Sequence, residues 1–149
     1  MYKKLLVPLD GSEASESIMP QVVSVAKPSN ATVVLFQAHE PIEPKVREVM
    51  GEDTAQELDT VTREDTQTYL DKIAGDLAAQ GIKAETVLAK GKAAQAIIQY
   101  AATHAIDLII MATHGRSGIS RWAFGSVADK VLRHSPVPVL LGPVAGSRV

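Results

Sequence analysis

Short runs of apolar residues alternate along the chain with longer segments in which apolar residues recur at helical spacing. Four runs are rich in Val, Leu and Ile and contain few polar residues, which is typical of strands buried on both faces of a parallel sheet. A weaker fifth run, AETVLA at 84–89, lies between the second and the third. The four stronger runs are LLVPL (5–9), ATVVLFQA (31–38), LIIMA (108–112) and VPVLLG (137–142).

The segments between these runs predict amphipathic helices. Apolar residues recur every three or four positions in 12–27, 92–104 and 126–134, the spacing that places them on one helix face. Segment 54–80 predicts one long helix or two pieces. The resulting order β-α-β-α-β-α-β-α-β predicts an α/β fold, a single domain over 1–149 with an open, doubly wound five-stranded parallel sheet and helices on both faces.

The least regular part of the chain is HEPIEPKVREVMGED, residues 39–53, which contains two prolines and several acids. A stretch of this kind predicts a mobile loop. The alternative is a flap over a ligand.

Composition and charge narrow the function classes. Hydrophobic residues make up 46% and charged residues 21% of the 149 positions, and the formal net charge is -2 with a pI of about 6.1. This balance offers no general basic surface, so we expect no nucleic-acid partner. The absence of cysteine excludes disulfides, thiolate metal sites and cysteine nucleophiles, and it fits a reducing compartment.

The N-terminal stretch MYKKLLVPLDGS has two lysines, as the charged region of a signal peptide does. Its apolar run is too short, and contains a proline, for the hydrophobic part of such a peptide. No segment approaches the roughly 20 apolar residues that a membrane span needs. We therefore expect a soluble cytoplasmic protein without membrane insertion.

The end of the first predicted strand is one candidate ligand site, because open parallel sheets bind ligands beyond the carboxyl ends of their strands. Asp10 ends this strand, Gly11 permits a turn and Ser12 caps the next helix. Glu13 and Glu16 would repel a phosphate from that helix, so Asp10 is better suited to accept hydrogen bonds from a ribose or a base. The alternative role for Asp10 is that of a simple turn-and-cap aspartate.

The fourth predicted strand runs into MATHGRSGISRWAFGS, residues 111–126, where the electrostatics are opposite. The helix that begins at Gly125 offers free backbone N–H groups and the positive end of its dipole, and Ser126 adds a hydroxyl donor. The stretch contains no acid, whereas Arg116 and Arg121 lie within it. It therefore predicts an anion site for the phosphates of a nucleotide. The alternative is that its glycines only permit turns and that Ser126 only caps the helix.

Three long stretches of the chain resemble a known family in the order in which they occur. They are YKKLLVPLDGSEAS, GKAAQAIIQYAATHAIDLIIMATHGRSG and GSVADKVLRHSPVPVLL, and they are similar to universal stress proteins. The ATP-binding branch of that family carries G-x-x-G, nine residues, then G-[S/T]. Gly115 and the pair Gly125-Ser126 match this pattern in type and spacing, but Ala112 replaces the first glycine. Its methyl group either fits beside the nucleotide or obstructs close approach to the backbone.

The resemblance implies a fold of the adenine-nucleotide alpha hydrolase type and a set of nucleotide-binding residues. Asp10 resembles the residue that contacts the adenosine end, and Ala38 matches a position whose backbone meets the adenine. The phosphate cradle begins at Gly115 and continues at the helix that follows Gly125. The full set is Pro8, Leu9, Asp10, Ala38, Met111, Ala112, Gly115, Arg116, Gly125, Ser126, Val127 and Ala128.

The resemblance also implies ATP as the ligand and a homodimer that pairs through the strand at 137–142. An unpaired apolar edge strand independently favours such pairing. Mg²⁺ is expected only with the phosphates, since neither H-E-x-x-H nor a carboxylate cluster indicates a dedicated metal site.

The sequence offers little machinery for catalysis. G-x-G-x-x-G is absent, and GKA at 91–93 fails as a P-loop because Thr86 and Ala93 stand where glycine and Ser or Thr are required. His114 lies near Ser117, but GRSGIS lacks the register of a nucleophile elbow. Arg116 or Arg121 could stabilise a transferring phosphate, whereas a water-orienting group is missing unless His114 or Asp10 serves.

Three functions follow from these residues. The first is a dimeric regulatory protein of the stress response that binds ATP and thereby influences a partner protein. The second is a dimeric interaction module of the same fold that binds no nucleotide, for which Ala112 is the sign. The third is a slow ATPase. Retention of Gly115, Gly125 and Ser126 favours the first, and the missing catalytic base disfavours the third.

Overall fold

The structure is a computed structural model that describes residues 1–113 and 125–142. Strands and helices alternate along the chain, as the apolar pattern predicts. The strands are β1 (Lys4–Pro8), β2 (Thr32–His39), β3 (Ala84–Lys90), β4 (Leu108–Ala112) and β5 (Val139–Gly142). The helices are α1 (Glu13–Glu16), α2 (Met19–Ser29), α3 (Pro44–Met50), α4 (Glu52–Ala79), α5 (Ala93–Thr103) and α6 (Ser126–His134).

The five strands form one parallel sheet in the order β3-β2-β1-β4-β5. Leu6 of β1 lies beside Val34 of β2 and Ile109 of β4, so the first strand is at the centre. The chain proceeds to one side of β1 with β2 and β3, then crosses over to β4 and β5 on the other side. The predicted fold class, an open doubly wound parallel sheet, is confirmed.

Alternate residues of the strands bury against different helices. Leu5, Val33 and Leu35 belong to a cluster completed by residues of α2 and α4, among them Val22 and Leu70. The neighbouring strand residues belong to a second cluster, completed by residues of α5 and α6. Because successive side chains of a strand point to opposite faces, α2 and α4 cover one face of the sheet and α5 and α6 cover the other.

The strands and the long helix agree closely with the sequence pattern, and the differences lie at element ends. Segment 54–80 is one helix, α4, and not two pieces. Segment 12–27 divides into α1 and α2, and Pro20 occupies the first turn of α2, a position that proline tolerates. The last strand begins at Val139 and not at residue 137.

The prediction of a loop over 39–53 is wrong for its second half, because α3 occupies Pro44–Met50. Pro44 stands at the start of this helix, where its missing N–H costs nothing. Arg47 of α3 then forms a two-pronged ion pair with Glu52, with N···O distances of 2.9 Å, and contacts Asp59 Oδ2 at 3.0 Å. One of these contacts, to Asp59 of α4, lies beyond the segment and ties α3 to α4.

Candidate functional site

A cavity of about 280 Å³ opens at the carboxyl ends of β1 and β4. These two neighbouring strands lie where the strand order reverses, because β1 connects to β2 on one side and β4 to β5 on the other. This is the position at which doubly wound sheets bind ligands. Its walls come from the ends of β1, β2 and β4 and from the first turns of α5 and α6.

The β1 side of the cavity is a tight polar turn. Gly11 has a φ of 85°, a left-handed conformation that glycine adopts without steric cost. Asp10 Oδ1 accepts hydrogen bonds from the Ser12 amide at 3.0 Å and the Ser12 hydroxyl at 2.5 Å. The Ser12 hydroxyl oxygen in turn accepts from the Ser15 amide and caps α1. The carboxylate of Asp10 is therefore held in place by the turn, and Asp10 also lines the cavity.

Ser15 holds the backbone of the same turn through two hydrogen bonds of its hydroxyl group. It is buried, with 5% of its surface exposed, and its hydroxyl accepts a hydrogen bond from the Asp10 amide at 3.3 Å while donating to the Ser12 carbonyl at 3.0 Å. Behind it lies Tyr69 of α4, whose pKa is raised by burial and, secondarily, by the charge of Glu16. Burial therefore favours the neutral phenol, and the hydrogen bonds of Ser12 and Ser15 fix this side of the site.

The β2 side of the cavity is apolar. Phe36 and Ala38 of β2 face it together with Ala93 and Ile97 of α5. The Phe36 ring packs at a tilt against Tyr100, with ring centroids 5.3 Å apart. Apolar walls with a few placed polar groups are typical of small-molecule sites, and a flat heterocyclic ring would match this side better than a charged group.

The α6 side of the cavity presents the beginning of a helix. The Gly125 amide donates to the Thr113 carbonyl at 2.5 Å, which ties α6 to the end of β4. The amides of Ser126, Val127 and Ala128 follow, and none has an acceptor among residues 1–113 and 125–142. A helix N-terminus with open amides attracts anions through its N–H groups and its dipole.

The backbone of Gly125 is ordinary, with φ -69° and ψ 163°. Any residue adopts such an extended conformation. The glycine at this position is therefore not required by a turn, which removes one of the two predicted roles for it. What distinguishes glycine here is the absence of a side chain beside the first amides of α6.

The charges around the cavity are compatible with an anion at α6. Asp10 is the one ionisable side chain among the described residues that line the cavity. Asp129 lies in the first turn of α6, but its carboxylate pairs with Arg133 at 3.1 Å. Asp10 stands on the opposite wall, at the end of β1.

The structure brings the predicted site residues together at this cavity. Pro8, Leu9, Asp10, Ala38, Met111, Ala112, Gly125, Ser126, Val127 and Ala128 all line it. Gly115 and Arg116 lie outside the described residues, as do His114, Arg121 and Trp122.

Sequence reasoning missed several residues of the cavity wall, namely Ser15, Phe36, Ala93, Ile97 and Thr113. Phe36 lies two positions before Ala38 on the same strand face, so the period-2 rule could have identified it. Ala93 and Ile97 belong to the helix after β3, and only the order of strands in the sheet places that helix beside β1 and β4.

The model of the universal stress protein family matches residues 1–143. The chain belongs to the universal stress protein family. Universal stress protein MJ0531 of Methanocaldococcus jannaschii is 30% identical over 141 residues, which cover 95% of this chain and 82% of that protein. Universal stress protein YxiE of Bacillus subtilis is 27% identical over 146 residues, covering 95% of this chain and 99% of that protein.

Solved structures of universal stress proteins have the same fold. The structure of MJ0577 superimposes with a TM-score of 0.86 at 28% identity and covers 99% of both chains. A universal stress protein in complex with cAMP gives a TM-score of 0.71 at 22% identity, covering 95% of this chain and 97% of that one. A family protein from Arabidopsis thaliana with AMP bound gives 0.64 at 15%, covering 95% and 92%.

No helix within residues 1–113 and 125–142 is long and apolar enough to cross a membrane. The same residues contain no group of three or more His, Cys, Asp or Glu side chains placed to hold a metal ion.

Proposed function

We propose that this universal stress protein binds ATP in the cavity between β1, β4 and α6 and acts as a nucleotide-dependent regulator of the stress response. The observation that carries the proposal is the start of α6. The amides of Ser126, Val127 and Ala128 have no acceptor among the described residues. They follow Gly125, whose backbone angles any residue could adopt. That combination serves the close approach of a phosphate.

The two sides of the cavity match the two ends of such a ligand. The apolar wall formed by Phe36, Ala38 and Ile97 suits the adenine, and Asp10, held by Ser12, is positioned to accept hydrogen bonds from the ribose. Pro8, Leu9 and Met111 complete the adenosine end. The phosphates reach the amides of Ser126, Val127 and Ala128, and Gly115 and Arg116 are proposed to complete that cradle. The family structures with bound cAMP and AMP support an adenine nucleotide.

Mg²⁺ is proposed to accompany the phosphates without a dedicated protein cage. Magnesium retains several water ligands and is often held by one or two carboxylates and the phosphates themselves. Asp10 is the carboxylate that the described cavity offers, and its Oδ1 already accepts two hydrogen bonds from Ser12. These residues fit a nucleotide that arrives with its metal, and efficient hydrolysis is not part of the proposal.

Ala112 favours a second candidate function, that of an interaction module without nucleotide. It lies at the end of β4, is 6% exposed and lines the cavity, so its methyl group occupies space that a glycine would leave open. Replacing it with glycine distinguishes the candidates. If Ala112→Gly creates ATP binding that the native chain lacks, the native protein is the nucleotide-free module.

We further propose a cytoplasmic homodimer that pairs through β5, with a regulatory protein as its partner and no nucleic acid. β5 is the last strand of the sheet beside β4, and its residues Val139, Leu140 and Leu141 are only half-buried. An apolar edge of this kind invites pairing with a second copy. Light scattering coupled to gel filtration measures the mass directly, and Leu140→Lys is expected to yield a monomer.

The nucleotide proposal is tested by calorimetric titration with ATP and Mg²⁺, with ADP, AMP and GTP as comparisons. We expect Kd to rise as phosphates are removed from the nucleotide, because the ligand loses contacts to the α6 amides with each phosphate. Tight binding of AMP and ATP with equal Kd would contradict the role assigned to α6. Absence of heat with every nucleotide, together with an unchanged Tm, would favour the interaction module.

A further inference from the structure

A second cavity, of about 240 Å³, lies at the ends of β2 and β3 on the other face of the sheet. Ala38 packs with the cluster beneath α5 and α6, whereas the next residue, His39, contacts Asp59 of α4. Strand alternation therefore places this cavity beneath α3 and α4, on the side of β2 opposite to the first cavity. The two cavities share the end of β2 and open on opposite sides of it.

The charged residues of the second cavity are only partly paired. Arg47 is fully engaged, with Glu52 on two nitrogens and with Asp59 Oδ2 on the third. Arg63 follows Asp59 by one helical turn, a spacing that favours an ion pair, but Asp59 is already held by Arg47. Arg63 and Lys90 both line the cavity, and neither forms an ion pair with any residue in 1–113 or 125–142.

One acceptor of the cavity also lacks a hydrogen bond within the part of the chain that the structure describes. Asp59 Oδ1 is buried and has no hydrogen-bond partner among residues 1–113 and 125–142. The imidazole of His39 approaches it only to 3.5 Å, measured from Nε2. The Arg47 guanidinium lowers the pKa of Asp59, so the group is an ionised acceptor. A buried acceptor without a donor costs free energy, and a ligand that supplies a hydroxyl would remove that cost.

We propose that this second cavity binds a small phosphate monoester that carries a hydroxyl group. The phosphate contacts Arg63 and Lys90, and the hydroxyl donates to Asp59 Oδ1. Counting Glu52, three cations stand against two carboxylates, so the site has an excess of positive charge. The acids that follow Arg63 on α4, Glu64 and Asp65, do not line the cavity.

The proposed ligand class follows from size and chemistry together. A volume of about 240 Å³ lies below the usual range of drug-sized pockets, and it admits a phosphorylated three-carbon or sugar-like compound. Arginine and lysine both bind phosphate, arginine by a planar fork and lysine as a point charge. The proposed phosphate monoester site does not depend on ATP binding in the first cavity, because the two cavities share no lining residue.

The test is titration with glycerol 3-phosphate followed by backbone amide NMR. We expect saturable shifts of the amides of His39, Asp59, Arg63 and Lys90, and smaller changes near Ser126. Shifts confined to the α6 amides would show that the phosphate uses the first cavity and would overturn the proposal. So would the absence of any saturable shift. Sulfate, which has no hydroxyl, is expected to bind more weakly, and equal binding would refute the contact to Asp59.

Charge variants with matched controls separate a built site from a general electrostatic effect. Arg63→Gln and Lys90→Gln are each expected to weaken binding at least about tenfold without changing Tm, since neither side chain makes an ion pair with a described residue. The controls Lys72→Gln on α4 and Lys83→Gln before β3 remove exposed lysines that do not line this cavity. If Lys72→Gln or Lys83→Gln weakened glycerol 3-phosphate binding as much as Arg63→Gln or Lys90→Gln does, the proposal would be overturned.

Discussion

Replacing Gly125 with valine separates the fold from the proposed phosphate site. With φ -69° and ψ 163°, the position lies in a region that valine also favours. Substituting glycine at a compatible backbone position stabilises a protein by about 0.4–1 kcal/mol, because the unfolded chain loses freedom. For a chain of this size that is roughly 1–4 °C in Tm. Gly125 is the N-cap of α6, where valine is disfavoured relative to glycine, and this offsets the gain, so we expect the variant to melt within about 4 °C of the native protein.

The effect on nucleotide binding should be large. The valine side chain adds three carbon atoms to a residue that lines the cavity beside the first amides of α6. A hydrogen bond to a charged group contributes about 1.5–3 kcal/mol. Loss of two such bonds between the phosphates and the amides of α6 costs at least about 3 kcal/mol, which raises Kd by at least about 100-fold.

The assay pairs calorimetric titration of ATP with thermal unfolding of the same samples. Gly125→Ala is the graded control and should lie between the native protein and Gly125→Val in affinity. Native affinity in the valine variant would refute the phosphate cradle. A fall in Tm beyond about 10 °C would instead show that glycine at 125 serves the fold, which the backbone angles argue against.

Two further predictions concern stability. Gly142→Ala should destabilise the protein by about 1–2 kcal/mol, because the added methyl would meet the fully buried side chain of Ile18 far inside contact distance. Gly75→Ala in α4, where nothing lies within 4 Å, should instead stabilise by about 0.5–1 kcal/mol, and urea unfolding measures both. Asp107 Oδ2 accepts hydrogen bonds from the amides of Lys3 and Lys4 at 2.7 and 2.8 Å, which lower its pKa in the folded state. Asp107→Asn should therefore lower the free energy of unfolding by about 1 kcal/mol at pH 7. This loss should disappear as the pH falls from about 4, the pKa of Asp107 in the unfolded chain, through its lower pKa in the folded protein. If the variant and the native protein still differed by the same free energy at pH 2, the role assigned to the Asp107 carboxylate would be wrong.

The fold could be predicted from the sequence because each strand is a short apolar run and each helix has a clear period. LIIMA at 108–112 coincides with β4, and the segment 126–134 coincides with α6. Helix α3 escaped prediction because it has no buried residues and hence no apolar period, and because one of its contacts, Arg47 to Asp59, reaches α4. That contact joins residues up to 12 positions apart, and local propensity carries no information about it.

The candidate site could be predicted in outline from the two strand ends that carry glycine and polar residues. Asp10 and Gly125 identify these ends, and the crossover from β3 to β4 brings them to one cavity. The wall from α5 could not be predicted, since Ala93 and Ile97 look like ordinary residues of an apolar helix face. The second cavity was missed for a similar reason, because the sequence spacing favours an ion pair between Arg63 and Asp59, and only the structure shows that Arg47 contacts Asp59 instead.

The measurement that most directly tests the central claim is a crystal structure of the protein with ATP and Mg²⁺. We expect the adenine to lie against Phe36 and Ala38, and the phosphates to lie within hydrogen-bond distance of the amides of Ser126 to Ala128. Phosphates placed elsewhere, or a nucleotide bound in the reverse direction with its base at α6, would contradict this expectation.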